Sequence, residues 1–193
     1  MNLNAQKIFK YRSYTPLPFL LLMIIFQHAT IISMIIGFAV ALFGEFWRLW
    51  GVCYAGSETR TTNGVGATFL VVTGPYAHVR NPLYIGNMMM YLGIGIMSMS
   101  LFPYLQIIAL LFFFWQYSVI ISEEENFLKG KYEKNFENFL NSVPKLIPKI
   151  TKYENPGLAQ PPFELKKGLR SERRTFQAFG IIILIVIIRY ALS

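Results

Sequence analysis

The chain has 193 residues, 54% of them hydrophobic and 15% charged, with a mean hydropathy of +0.42 and a formal net charge of +8. A soluble globular domain carries about 25% charged residues, so a soluble enzyme is excluded, and the length accommodates one membrane domain without a separate soluble one. Aspartate is absent and Cys53 is the sole cysteine, which removes most aspartate-based metal and phosphoryl-transfer schemes, an intramolecular disulfide and a cysteine-rich zinc site.

Residues 13–44 and 81–122 carry no Lys, Arg, Asp or Glu, giving uncharged runs of 32 and 42 residues. Each exceeds the ~20 residues that cross a bilayer core once. The apolar run 17–26 leads into further hydrophobic sequence without a small-residue cleavage site, so no cleavable signal peptide is expected. The first run reads as a short span near 16–27 and a second near 30–50, joined at Gln27-His28. The second run divides at 98–103 into spans near 83–97 and 104–121. After Glu123-Glu124-Glu125, the residues Leu128, Tyr132, Phe136 and Phe139 recur at helical spacing opposite Lys129, Lys131, Glu133, Lys134 and Glu137. This predicts an amphipathic helix lying on the membrane surface or over the cytosolic ends of the spans, ended by Pro144 and Pro148.

Residues 155–168, rich in Pro, Gly and Lys, read as a linker, and 176–188 as a fifth span or an interfacial helix. The expected organisation is an all-α polytopic membrane protein of about five transmembrane helices. Its parts are a membrane domain over 1–148, a basic cytosolic linker over 149–175 and an additional C-terminal helix over 176–193. Three Lys or Arg precede the first span, three lie between Arg48 and Arg80, eleven lie between Lys129 and Arg174, and the two tight hairpin turns have none. The positive-inside rule then puts the N-terminus, the loop 51–81 and the segment 123–175 in the cytoplasm.

The chemistry-bearing stretch runs from Thr73 to Gly86: Gly74-Pro75-Tyr76-Ala77-His78-Val79-Arg80-Asn81-Pro82-Leu83-Tyr84-Ile85-Gly86. Gly74-Pro75 marks a turn, and Asn81-Pro82 a helix start with proline at its first position. Free N–H groups at that helix start, with Arg80 beside them, suit an anionic carboxylate. The plainer alternative is a juxtamembrane anchor, with Arg80 at headgroup level and Tyr76 and Tyr84 as belt residues. Carboxylates at a membrane rim are costly unless paired or solvated, and acids contribute little to topology. A solvated helix end is an alternative for Glu123, whereas Glu124 and Glu125 read as acceptors for ribose hydroxyls or an ammonium group of a cofactor held between the ends of the third and fourth spans.

The pattern Gly74-Pro75-Tyr76-x-x-x-Arg80-Asn81-Pro82-x-Tyr84-x-Gly86 is followed after two spans by Glu124-Glu125-x-x-Leu128, then Tyr132, Phe136, Phe139 and Val143-Pro144-Lys145-Leu146-Ile147-Pro148. In order and spacing, over about 46–148, it resembles the isoprenylcysteine carboxyl methyltransferase and phospholipid methyltransferase superfamily. The resemblance implies S-adenosylmethionine bound from the cytosol by Tyr76, His78, Arg80, Asn81, Pro82, Tyr84, Glu124 and Glu125, and a lipidic acceptor arriving from the membrane. Three departures stand out. Asn81 replaces the histidine usual in the isoprenylcysteine enzymes, a glycine common in the family near Glu133 is missing, and the tail beyond Pro148 has no counterpart in the minimal pattern.

The expected function is methyl transfer to a membrane-embedded carboxylate or amine acceptor, with membrane lipids and the acceptor as partners and with no nucleic acid or metal. His78 or a nearby carboxylate would accept a proton from an amine, and Arg80 or Arg48 would orient a carboxylate. The alternatives are an NADPH-dependent membrane sterol-type reductase, disfavoured by Asn87 where reductases usually carry Asp, and a non-catalytic membrane scaffold. Arg48, Trp47 and Trp50 also read as belt residues, His28 as a solvated turn residue, and Gly93 and Gly95 as helix-packing positions.

Overall fold

The computed structural model describes residues 3–56 and 69–192, and all of the regular secondary structure among them is helical. Six α-helices follow in order: α1 (Leu3–Tyr11), α2 (Pro16–Ile25), α3 (Ile31–Ala55), α4 (Pro82–Ser98), α5 (Tyr104–Ser142) and α6 (Leu165–Ala191). A one-turn 3-10 helix, Gly74–Ala77, precedes α4. The expected loop 51–81 lies in part outside the described residues, at 57–68.

On length and apolarity α3, α5 and α6 are able to cross a membrane. Their outward faces carry exposed Ile32, Ile35 and Phe43, then Ile108, Leu111 and Trp115, then Ile181, Leu184 and Ile187. Such a band needs a hydrocarbon surrounding, because water would leave it as one large exposed apolar surface. The structure thus supports three of the five expected spans by these criteria. The ten residues of α2 extend about 15 Å and the seventeen of α4 about 25 Å, both short of a core of about 30 Å.

The scaffold is the antiparallel pair α3 and α4, joined along a seam of small residues. A Cβ on Gly44 would lie 2.7 Å from the Gly86 carbonyl oxygen and 2.9 Å from the Met90 nitrogen. One on Gly93 would strike the backbone of Gly37 and Ala41. Small residues let two helix backbones touch where lipid supplies no hydrophobic drive for association. The start of α3 is set by a reciprocal cap, in which the Ser33 N–H donates to Thr30 Oγ1 (3.1 Å) and the Thr30 N–H to Ser33 Oγ (2.9 Å). His28 is exposed in the turn before it, and its backbone N–H donates to the Ser98 carbonyl (2.9 Å). Gly95 faces another way than Gly93, toward Gln106 of α5 and Met23 of α2.

An aromatic column joins α4 to α5. Tyr84 stacks on Tyr117 at 4.6 Å between ring centroids, Tyr91 stacks on Phe113 at 4.6 Å, and Phe19 of α2 packs on Phe112 and Phe113. Each such pair adds about 0.5–1.5 kcal/mol beyond area burial. Phe9 of α1, a helix without a sequence expectation, completes this cluster.

Two boundaries differ from expectation. The fourth span runs on as helix into the first part of the expected amphipathic helix, because no proline or glycine interrupts residues 104–129, and α5 as a whole is two helices joined at a kink. Its apolar face, Phe136 and Phe139, is buried against Leu70, Val72 and Val143, with Tyr153 and Leu158 around them. The helix breaks at Glu133, whose φ of 45° and ψ of −123° fall in a region costly for any residue with a Cβ. This is where the family resemblance leads one to look for glycine. Glu133→Gly is therefore expected to stabilise the fold by about 1 kcal/mol, read as a raised unfolding midpoint in detergent, since Glu133 is exposed and loses no packing.

The second difference is α6, which begins eleven residues before Phe176. The stretch before it, expected as a linker, is tied to the domain. The Gln160 side chain accepts from the Val72 N–H (2.8 Å) and donates to the Leu70 carbonyl (2.9 Å). The Glu164 N–H donates to the Cys53 carbonyl (3.0 Å), and Gly168 sits against the Cys53 side chain. Pairing these backbone groups avoids the cost of leaving them unsatisfied. The composition of residues 155–168 resembles a linker because prolines and lysines are common to linkers and to extended segments held by side chains.

Candidate active site

The 3-10 turn and the start of α4 hold the residues of the 73–86 motif at the end of α5. Arg80 is held by every nitrogen of its guanidinium. Its Nε donates to Glu125 Oε1 (3.0 Å), its Nη2 lies 2.9 Å from the same oxygen, and its Nη1 donates to the Leu140 carbonyl (3.0 Å) and to that of Val143. The Arg80 N–H also donates to the Pro144 carbonyl (2.9 Å), and Asn81 Nδ2 to the Lys145 carbonyl (3.1 Å). Arg80, Asn81 and Glu125 thus clamp the segment after α5 onto the start of α4. Lys145 adds a second cation 3.6 Å from Glu125 Oε2.

The Arg80 guanidinium, expected to orient a carboxylate, thus donates to protein acceptors, and Glu125, expected to hold a cofactor, is its counter-ion, while both also line a small cavity beside Tyr76 and Glu124. Side-chain exposures of 12% and 16% make the pair a partly buried, charge-assisted one. His78 is turned toward the segment after α5. Its Nδ1–H donates to the Lys149 carbonyl (2.9 Å), its own carbonyl accepts from the Lys149 N–H (3.0 Å), and it lines neither cavity of the site. This bonding holds the 149–153 segment in place and leaves Nε2 as the ring's proton-accepting nitrogen, outside the lining of both cavities.

Glu124 is placed differently. One of its oxygens accepts from the Tyr84 hydroxyl (2.9 Å), and the residue lines a cavity of about 760 Å³. Tyr76, Arg80, Asn81, Pro82 and Tyr84 line the same cavity. The motif and the glutamate, separated by two helices in the chain, therefore share one wall. Glu124 lies beyond the uncharged span of α5, and burial pushes its carboxyl up to about 7, opposed by the Tyr84 hydroxyl and the nearby Arg12 charge. Burial likewise pushes the Tyr76 phenol well up, so it stays protonated and able to donate. A smaller cavity of about 130 Å³, lined by Tyr76, Glu124, Glu125 and Leu128 among others, adjoins it.

Arg48 also lines the large cavity. Its Nη2 donates to both oxygens of Glu172 on α6 (3.0 and 3.1 Å), its Nη1 to Asn87 Oδ1, and Glu45 lies 3.5 Å from its Nε. With two carboxylates on one guanidinium, Arg48 joins α3 to α6 and is not a belt residue. Glu45 and Glu172 escaped the sequence reading. The signal for Glu45 was its position three residues before Arg48 in an apolar helix, and Glu172 had none, lying 124 residues away. Arg12 and Arg174, both lining the cavity, were read only as topology determinants.

A motif at a helix start, a half-buried carboxylate across from it and an apolar surround thus line one cavity. The chain belongs to the phospholipid methyltransferase family, whose model matches residues 32–135. It is similar to the cobalt-zinc-cadmium resistance protein CzcN of Cupriavidus metallidurans, 31% identical over 106 residues, which is 55% of this chain and 44% of that protein. It is also similar to the nickel-cobalt-cadmium resistance protein NccN of Alcaligenes xylosoxydans xylosoxydans, 30% identical over 108 residues, 56% of this chain and 46% of that protein. The similarity spans less than half the length of each of these relatives. No solved structure matches the chain.

Proposed function

We propose that the protein is a membrane methyltransferase that uses S-adenosylmethionine and acts on a lipidic or isoprenoid acceptor. The observation that carries this reading is the shared cavity, where the family-matched residues Tyr76, Asn81, Tyr84 and Glu124 meet beside an apolar arm. The donor set suits the cofactor. Glu124 offers a carboxylate oxygen beyond its bond to Tyr84 for hydroxyl or ammonium groups, and the first turn of α4 offers backbone N–H groups for a carboxylate. When bound, the cofactor supplies an electrophilic methyl group on a cationic sulfur. Glu124 places a compensating negative charge in a site with little water, where electrostatic interactions are strongest. For an amine acceptor, Glu124 is also the cavity carboxylate able to accept the proton, while a carboxylate acceptor needs orientation and exclusion of water only. The active site is read as opening on the cytosolic side, in keeping with the distribution of Lys and Arg.

The metal-resistance names of the two relatives suggest no ligand set here, since the described residues include no group of three His, Cys, Asp or Glu able to hold an ion. Calorimetric titration of the purified protein in detergent tests the proposal. Binding of S-adenosylmethionine and of its demethylated product is expected, whereas binding of NADPH in their place would point to the reductase chemistry. Glu124→Gln should weaken cofactor binding roughly 10- to 100-fold through loss of a charge-assisted hydrogen bond. In the native protein, affinity should rise as pH increases through about 7, because Glu124 ionises there and the ionised form favours a cationic ligand. That rise should be absent from Glu124→Gln, and a rise of the same size in the variant would contradict the assignment.

A further inference from the structure

The cavity extends well past the cofactor-binding wall. Its volume of about 760 Å³ lies toward the upper end of the ~300–1,000 Å³ usual for a ligand pocket. Away from Glu124 the lining turns apolar: Leu17 and Leu20 of α2, Met90 and Ile94 of α4, and Phe179 and Ile182 of α6. At the rim of this arm, α6 adds Arg174, Thr175 and Ala178, so that 174, 175, 178, 179 and 182 form one helical face along the cavity. This face lies outside residues 32–135 that match the family.

The charges around the cavity are unequal in their partners. Arg80 is held by Glu125, and Arg48 by Glu172 and Glu45. Arg12 lies near Glu124 and donates to the Phe9 carbonyl (3.0 Å). Arg174 makes no ion pair with any described residue, and its side chain is exposed at the rim. A planar guanidinium without a counter-ion among the described residues, at the mouth of an apolar slot, matches an amphiphile whose head carries a carboxylate or a phosphate.

We propose that α6 is the acceptor-selecting wall of the site, with Arg174 binding the anionic group of an amphiphilic acceptor whose hydrocarbon chain lies in the slot between α2, α4 and α6. The proposal rests on the reading of the cavity as a methyltransferase site, yet its test needs neither cofactor nor turnover. Spin-labelled stearic acid, spin-labelled phosphatidic acid and the spin-labelled fatty alcohol are each added to the purified protein in neutral-lipid nanodiscs, at a pH that keeps the fatty acid ionised. The immobilised fraction is then read by electron paramagnetic resonance.

The native protein should favour at least one anionic probe over the alcohol by about tenfold, the size of one charge-assisted hydrogen bond. Preference for the fatty acid alone or for the phosphatidic acid alone identifies the head as carboxylate or phosphate, and either supports the proposal. Arg174→Gln should remove the preference while leaving alcohol binding unchanged, and Arg174→Lys should retain part of it. Ile182→Trp, which fills the slot, should reduce binding of every probe. An absence of anionic preference, its persistence in Arg174→Gln, or unchanged binding in Ile182→Trp would overturn the proposal. Failure of the cofactor titration with probe selectivity intact would refute the methyltransferase reading alone.

Discussion

Gly93→Leu is expected to yield little or no monodisperse protein, because a side chain there has no space to enter. Its Cβ would meet the backbone of Gly37 and Ala41, and a helix backbone cannot rotate away as a flexible side chain does. Overpacking a well-packed site ordinarily costs about 1–3 kcal/mol. Here α3 and α4 must separate along the seam, so the loss should reach or exceed the top of that range. Gly180→Leu on α6 is the control, since a Cβ at Gly180 meets nothing within 4 Å. The measurement is the fraction eluting as monomer in detergent together with its unfolding midpoint. Equal behaviour of the two variants would show that the seam does not hold the hairpin.

The second large effect is expected at Glu172, which is fully buried and joins α6 to α3 through Arg48. Removing one partner of a buried ion pair costs about 3–5 kcal/mol, because the remaining charge stays desolvated. Glu45 continues to compensate Arg48 in part, which puts Glu172→Ala near the lower figure. The double variant Arg48→Met, Glu172→Ala should be less destabilised than the sum of the two single variants, with a coupling of about 1–3 kcal/mol in a thermodynamic cycle. Strict additivity would mean that the pair carries no coupling and that α6 is held by apolar packing and the Gln27 to Val186 hydrogen bond (2.9 Å).

Much of the outline was legible because lipid solvent imposes simple rules. The uncharged runs, the turn at His28 and the helix start at Pro82 follow from local composition, whereas a common site for the 73–86 motif and Glu124 was implied by the family resemblance. The boundaries that differed have local causes as well. Nothing between Tyr104 and Lys129 stops a helix, so the span runs on until the kink at Glu133. The prolines at 161 and 162 precede a helix start and do not fill a flexible tether.

The roles of the charged residues were less legible, since a charge in a sequence does not announce its partner. Arg80, Glu125 and His78 carry the chemistry expected of a catalytic set, yet each is turned to protein carbonyls or to its counterpart. Glu124 and Glu125 are neighbours in the chain, but on a helix adjacent residues point about 100° apart. One therefore lines the large cavity while the other clamps Arg80.

By itself the sequence determined that this is a helical membrane protein with a polar motif at one end of its spans, because hydropathy and the cost of unpaired backbone in lipid act on each segment separately. The tertiary structure alone decided which carboxylate stays available, that α6 closes the cavity and that Arg48 is neutralised from Glu172. Those outcomes depend on distances between residues up to 124 positions apart, set by how closely the small-residue seam of α3 and α4 lets the remaining helices approach.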